Sequence, residues 1–216
     1  MRLLVYNPNT TQAVTDRMVA QARRHASEGT EIVGLSAPRG VPFIQRPEQS
    51  QAADVVTLEV VARQWPSYDA IIVAAFSDPG LMPARAISQR PVLGIGESAM
   101  LSAAMMGARF AAVSLSPAMR PLFDATIGRL GLSDRLAGLH FLDAIVTDIA
   151  TVQSDHGAAL ESACREIAQR GDAASIVLGG GPLAGLADSF RGRIGIPLLD
   201  GVACAVRHAE TIVRLR

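Results

Sequence analysis

The sequence predicts a parallel α/β fold made of two similar Rossmann-like or flavodoxin-like lobes, related by a pseudo-twofold axis with a cleft between them. Three observations lead there. Short apolar, β-rich runs alternate with helical patterns along all 216 residues, which marks βα units and a parallel sheet. The second half repeats the first. Ala70-Ile-Ile-Val-Ala-Ala aligns with Ser175-Ile-Val-Leu-Gly-Gly, Pro91-Val-Leu-Gly with Pro197-Leu-Leu-Asp, and Arg2-Leu-Leu-Val-Tyr-Asn with Arg109-Phe-Ala-Ala-Val-Ser. Self-similarity of this kind sets the architecture before any single element does. A hydrophobic content of 49% lets a chain this long bury about 70% of its unfolded surface, enough for two small lobes.

The elements follow in order. Leu3 to Tyr6 reads as a buried strand, after which Asn7-Pro-Asn-Thr-Thr turns the chain, with Thr10 or Thr11 capping a helix to about His25. Glu31 to Leu35 is the second strand, Pro38 to Arg46 a Pro/Gly loop, and residues 47–64 a long helix with Pro47 at its first turn. Asp69 to Ala75 is a strand, and Asp78-Pro79-Gly80 is expected to cap a short helix. Pro91 to Ile95 forms the next strand, with a helix from Glu97. The second half begins with a strand at Arg109 to Ser114, then a helix over 118–130 and a strand from about Leu139 to Ile145. A polar loop, a helix from about Gly157 to Gln169, the strand Ser175 to Leu178 and the Gly179-Gly180-Gly181 run come next. Pro197 to Leu199 is the last strand and residues 202–214 the closing helix. That helix is expected to pack back on the first lobe, so the lobes comprise 1–96 with 202–216, and 97–201.

Composition excludes several function classes. The formal net charge is zero and no basic run occurs, so the electrostatic footprint of a nucleic-acid binder is missing. All 20 basic residues are Arg, which removes Schiff-base chemistry and the usual attachment of pyridoxal phosphate. No apolar run reaches membrane-span length, and MRLLVYNPNT carries no signal-peptide pattern, so a cytoplasmic location away from membranes is expected. Cys164 and Cys204 form neither a disulfide framework nor a metal spacing; no metal or cofactor is expected. The apolar content is compatible with a homo-oligomer.

Ligands of open parallel sheets bind beyond the carboxyl ends of the strands. Those ends carry Asn7, Asn9, Thr10, Thr11, the Phe76-Ser77-Asp78 turn, Glu97, Ser98, Ser114, Ser116 and Gly179, Gly180 and Gly181. Amides, hydroxyls and bare backbone N–H groups suit a carboxylate or a cyclic imide. Capping alone accounts for Thr11 and Asp78, the helix dipole for Glu97, and a tight turn competes for the glycine run. The Asn7-Pro8-Asn9 turn is more specific, because two amides exceed what a turn needs. Cys164 shares an apolar helix face with Leu160 and Ile167 and reads as core, as does Cys204. His25 and His208 lie on helices, and His140 lies on a strand away from the ligand end. Ser77 and His156, the latter in the loop before the sixth helix, are the candidate proton carriers, with helix capping by Ser154 or Asp155 the rival explanation there. Arg46 is a candidate carboxylate clamp or a solvated loop charge.

Asn7-Pro-Asn-Thr-Thr, Phe76-Ser-Asp-Pro-Gly-Leu, Gly94-Ile-Gly-Glu-Ser-Ala, Leu178-Gly-Gly-Gly and Ile196-Pro-Leu-Leu-Asp-Gly-Val occur in order over the whole chain. Together they resemble the aspartate/glutamate/hydantoin racemase superfamily, nearest its hydantoin and allantoin racemase branch. The resemblance implies cofactor-free proton transfer at a carbon beside a carbonyl, with one cysteine from each lobe facing opposite sides of that carbon. Arylmalonate decarboxylases, which use only the second-lobe cysteine, and maleate isomerases share the implied fold. Here the first cysteine position holds Ala75 and the second holds Gly180, and the repeat alignment pairs those two residues independently. Neither side chain carries a proton, so both the two-thiol and the one-thiol mechanisms are unavailable. What remains is an isomerase-like enzyme acting on a small carboxylate or hydantoin-type ligand without thiols. The alternatives are changed chemistry on a small dicarboxylate or ureide (decarboxylation, elimination or hydrolysis) and binding without turnover.

Overall fold

Each half of the chain builds one four-stranded parallel sheet. In the computed structural model, which describes residues 1–216, β1 (Arg2–Asn7), β2 (Glu31–Ser36), β3 (Ala70–Val73) and β4 (Val92–Gly94) lie in the order β2-β1-β3-β4. The second sheet holds β5 (Phe110–Ser114), β6 (Leu136–Phe141), β7 (Ser175–Leu178) and β8 (Leu198–Asp200) in the equivalent order β6-β5-β7-β8. The central strands β1, β3, β5 and β7 are buried almost without interruption, as expected where both faces are covered. The outer strands β2 and β6 are only partly buried.

The repeat reaches single hydrogen bonds. The Ala74 N–H donates to the Tyr6 carbonyl at 2.7 Å, and its counterpart Gly179 donates to Val113 at 2.9 Å. Ile71 donates to Pro91 at 2.9 Å, and Ile176 to Pro197 at 2.9 Å. The loops leaving β3 and β7 therefore start from the same geometry in both lobes.

Eight helices cover the sheets: α1 (Gln12–His25), α2 (Pro47–Gln64), α3 (Leu81–Ile87), α4 (Ile95–Met106), α5 (Arg120–Arg129), α6 (Val152–Arg170), α7 (Leu186–Ser189) and α8 (Gly201–Arg214). Asp200 caps α8 by accepting from the Val202 and Ala203 N–H groups at 2.8 and 3.1 Å, an arrangement worth about 1 kcal/mol. The helix then packs against α1, α4, β3 and β4. Its Glu210 accepts from the Ser27 N–H and hydroxyl and from the Thr30 hydroxyl, in the loop after α1. One apolar cluster runs through both lobes, from Leu3 and Ile72 to Val113, Leu160 and Ile176, with Val202 and Val206 of α8 among them. The halves thus share a core. No helix is long and apolar enough to cross a membrane.

Several boundaries differ from expectation. α6 begins at Val152, so His156 is helical and not in a loop. β6 runs over Leu136–Phe141, earlier than 139–145; the apolar run after it continues only as single bonds, Leu142 to Ser114 and Ala144 to Leu115. His140, the penultimate residue of β6, therefore sits near the carboxyl end of that strand. α3 starts at Leu81 after Gly80 in a left-handed conformation, and Asp78 does not cap it. The Asp78 carboxylate instead accepts from the Gly96 and Glu97 N–H groups, in the first turn of α4, at 2.9 and 2.7 Å.

Candidate active site

The carboxyl ends of β3 and β7 meet between the lobes. The loops touch: a Cβ built on Gly181 would lie 3.2 Å from the Ala74 carbonyl oxygen, and one on Gly179 would lie 3.2 Å from Phe76 Cε1. Between them a small cavity is lined by Asn9, Ala75, Phe76, Ser77, Gly180 and Gly181, with walls from Phe43, Ile44, Met119, Leu122, Phe123 and Pro182. It offers about 20 Å³ to a water-sized sphere, room for about one water. A ligand larger than that needs the loops after β3 and β7 to move apart. Phe76 from the first lobe stacks on Phe123 from the second, with centroids 4.6 Å apart and planes at 28°; Phe141 meets Phe123 edge-on at 5.4 Å. Such a pair adds about 0.5–1.5 kcal/mol beyond its buried area and holds the lobes together.

The expected ligand groups divide into two sets. Asn9, Phe76, Ser77, Gly180 and Gly181 line the cavity. Asn7 does not. It is fully buried, its Nδ2 donating to Asn9 Oδ1 and Thr15 Oγ1 at 2.9 Å each while its Oδ1 accepts from the Asn9 N–H at 3.2 Å. Every polar atom of that amide serves the turn. Ser114 is buried behind the glycine loop and donates to the Gly179 carbonyl at 2.6 Å. Ser116 only caps the turn beginning at Pro117, accepting from the Ala118 N–H. Gly179 approaches the ring of Phe123 without facing the cavity: a Cβ there would lie 2.4 Å from Phe123 Cζ.

The candidate proton carriers fare differently. Ser77 is in the cavity wall, its oxygen accepting from the Ser50 hydroxyl at 2.9 Å, which leaves the Ser77 proton free. His156, on α6, is absent from the cavity. Arg46 is also absent; it precedes α2, where the Gln49 side chain accepts from the Gln45 and Arg46 N–H groups. Both cysteines are free, and burial pushes Cys164 up to about 12 and Cys204 up to about 11. No titratable side chain lines the cavity.

Backbone donors fill part of that gap. The N–H groups of Ala75, Phe76, Ser77 and Gly180 give no hydrogen bond to any acceptor within the chain. Buried backbone donors are nearly always paired, so an unpaired set around a cavity suits an acceptor brought by a ligand. Asn9 adds to it: its Oδ1 accepts from Asn7 and from the Thr11 N–H, while its Nδ2 donates to nothing in the chain. The sequence pointed to Asn9, Ser77 and the glycines through turn signals. It missed Phe43, Ile44, Met119, Leu122 and Phe123, whose apolar pattern reads the same as core.

Charged groups brace the site from outside. Arg129 of α5 pairs with Asp78 at 3.3 Å and with Glu97 at 2.8 Å, and Arg85 also pairs with Glu97. Burial pushes the Asp78 carboxyl up to about 7, against the pull of the two α4 N–H groups and Arg129. Burial also works on Glu97, but Arg85 and Arg129 hold its carboxyl below the ordinary range. Arg17 of α1 donates to the Pro182 and Ala150 carbonyls at 3.1 and 2.6 Å, and Gln153 donates to Pro182 at 2.8 Å. One side chain from each lobe thus clamps the loop after Gly180.

Backbone φ separates Ala75 from Gly180, the pair that the repeat makes equivalent. Ala75 has no left-handed conformation, whereas Gly180 has φ 140° and ψ 133°. That region is close to glycine-only. A Cβ at Gly180 would meet nothing nearer than 3.8 Å, so what bars a cysteine there is torsion and not space.

Two parallel-sheet lobes that meet at the ends of β3 and β7 are the architecture of solved racemases and isomerases. The Asp/Glu/hydantoin racemase family model matches residues 3–209, and the chain belongs to that family. It is 32% identical to a hydantoin racemase of Pseudomonas sp. (strain NS671), over 100% of this chain and 87% of that one. Among solved structures it resembles an allantoin racemase from Klebsiella pneumoniae (TM-score 0.95, 33% identity, 100% of this chain and 88% of the other). It also resembles an allantoin racemase from Pseudomonas fluorescens (TM-score 0.89, 34% identity, 100% and 92%). By family the chain is a racemase-like enzyme.

Proposed function

We propose that this protein takes a neutral, hydantoin-type ring between its lobes and labilises the hydrogen on the carbon beside a ring carbonyl without any thiol. The observation that carries this reading is a cavity flanked by Ala75 and Gly180 with unpaired N–H donors from both lobes. When the C–H bond breaks, charge develops on the carbonyl oxygen. Fixed N–H dipoles around that oxygen stabilise it more than water does, and Asn9 Nδ2 and the Ser77 hydroxyl supply side-chain donors. The proton passes to a solvent hydroxide at the mouth of the cleft, giving water, and returns from water to either face of the carbon with hydroxide released.

The lining supports one class of substrate over another. No Arg or His stands in the cavity to offset a full negative charge, and an uncompensated buried charge is costly. A neutral ring with amide N–H and C=O edges fits better than a small dicarboxylate, which weighs against decarboxylation. Phe43, Ile44 and Leu122 suit an apolar ring substituent. The related hydantoin racemases point to the same class of ring.

The test is proton exchange of 5-benzylhydantoin in D2O, read by NMR. Saturable exchange above buffer that falls on the order of 10²-fold in Asn9→Ala supports the reading. Binding without exchange overturns its catalytic half, and consumption of a substituted malonate without hydantoin exchange replaces it with decarboxylation.

A further inference from the structure

A second pocket opens at the lobe seam, apart from the cleft. It offers about 390 Å³ against about 20 Å³ in the cleft, within the range of small-molecule sites. Its lining comes from the ends of α1 and α4, from α7, from the end of β8 and from α8, and it shares no residue with the cleft cavity.

The anionic groups in it are already satisfied. Asp200 accepts from three backbone N–H groups, those of Gly185, Val202 and Ala203. Asp188 takes hydrogen bonds from Gln21 and His25 at 2.7 Å each and from Arg191 at 2.6 Å; against its burial, these partners hold it down to about 2. The cations are less committed. Arg207 is exposed and makes no hydrogen bond or ion pair, and Arg191 spends only one nitrogen on Asp188. Beside them Met105 and Met106 stand 75% and 52% exposed, large apolar side chains that the fold leaves in water. His208 completes the wall. Ser102 gives its proton to the Ser98 carbonyl, so the ring donates through Nε2 at 3.2 Å, and burial favours its neutral form. Its Nδ1 remains an acceptor.

We propose that this seam pocket is a second small-molecule site, selective for an amphipathic monoanion such as an alkyl or aryl carboxylate. Arg207 and Arg191 take the carboxylate, and the two methionines cover the apolar part, a use to which flexible thioethers are suited. The site joins residues of both lobes, because His25 belongs to α1 and Asp188 to α7. It also connects to the cleft loop, since the Asp200 side chain that lines it holds the Gly185 N–H, five residues after Gly180.

The experiment is an amide chemical-shift titration of the full chain with octanoate, with octanol and octylamine as controls. The expected result is saturable shifts at Ala187–Asp188 and Ala203–His208, weaker for octanol and absent for octylamine. Arg207→Gln, which removes an exposed and unpaired group, weakens octanoate binding about tenfold or more; Met105→Gln weakens octanoate and octanol alike. Equal binding of octanol and octanoate overturns the proposal. So do shifts confined to residues 74–77 and 179–181, or the absence of shifts. Sedimentation showing that this face is covered by a second copy, with no octanoate bound, also overturns it.

Discussion

The loop after β3 and the loop after β7 leave their sheets through equivalent hydrogen bonds, Ala74 to Tyr6 and Gly179 to Val113, and then part company. The first continues through Ala75 in ordinary backbone and places its special conformation three residues later, at Asp78 with φ 48°. The second takes φ 140° at Gly180 itself. The two equivalent positions thus differ in what each would ask of a longer side chain. In the first lobe the side chain is merely short. In the second, the backbone has settled into a conformation that a side chain resists, with Gly179 and Gly181 on either side packed too closely for a Cβ, 2.4 Å from Phe123 and 2.7 Å from Met18. Two positions equivalent in the repeat are unequal in the structure.

That contrast predicts unequal outcomes when thiols are introduced. Ala75→Cys is expected to speed exchange of one hydantoin enantiomer on the order of 10²-fold, the scale of a positioned acid–base group, and to leave the other enantiomer unchanged; chiral chromatography with NMR checks it. Acceleration of both would break the one-sided picture. Gly180→Cys is expected to lower stability by about 1–3 kcal/mol in denaturant melts and to leave exchange unaccelerated, while Ala75→Cys melts near wild type. Gly179→Ala, driven into the Phe123 ring, is expected to cost about 1–3 kcal/mol as an overpacked core does.

Asp78 sharpens the comparison through pH. Its carboxyl rises to about 7 in the folded chain, chiefly by burial, from near 4 when unfolded. Between those values the folded state holds the proton more tightly, so this group's contribution is full below about pH 4 and is lost as pH rises through about 7. The stability of wild type relative to Asp78→Asn should therefore fall between pH 4.5 and 7.5, with Asn chosen because it tolerates positive φ. A flat difference would mean that the α4 N–H groups and Arg129 keep Asp78 ionised throughout. The smallest effect belongs to Ser114→Ala: about 1 kcal/mol of stability from the lost bond to Gly179. Ligand affinity should change less than in Asn9→Ala.

Much of this was legible in the residues. The repeat announced two equivalent sheets, and β5, β7 and α2 fall where their apolar runs and Pro47 put them. Ala75 and Gly180 could be paired from sequence because the repeat keeps one spacing through β3 and β7. The site was half legible. Asn9 and Ser77 line the cavity, but Asn7 and Ser114, equally polar and equally at strand ends, turn inward to satisfy neighbouring groups, and side-chain direction is not written in residue type. Phe123 and Met119 escaped notice because a cavity wall and a core face share one apolar pattern. Asp78 has the sequence context of a local cap, but its partners on α4 and α5 are distant in sequence and reach it only through folding. His156 is helical because α6 begins at Val152, ahead of Ser154 and Asp155, which in sequence read as caps of a later start.

The most direct test of the central claim, a thiol-independent site between the lobes, is exchange at the ring carbon of 5-benzylhydantoin in D2O before and after exhaustive alkylation with iodoacetamide. The account expects saturable exchange at the same rate in both samples, since Cys164 is buried and Cys204 lies in the seam pocket and not in the cleft. Loss of exchange on alkylation, or no exchange above buffer in either sample, would contradict it.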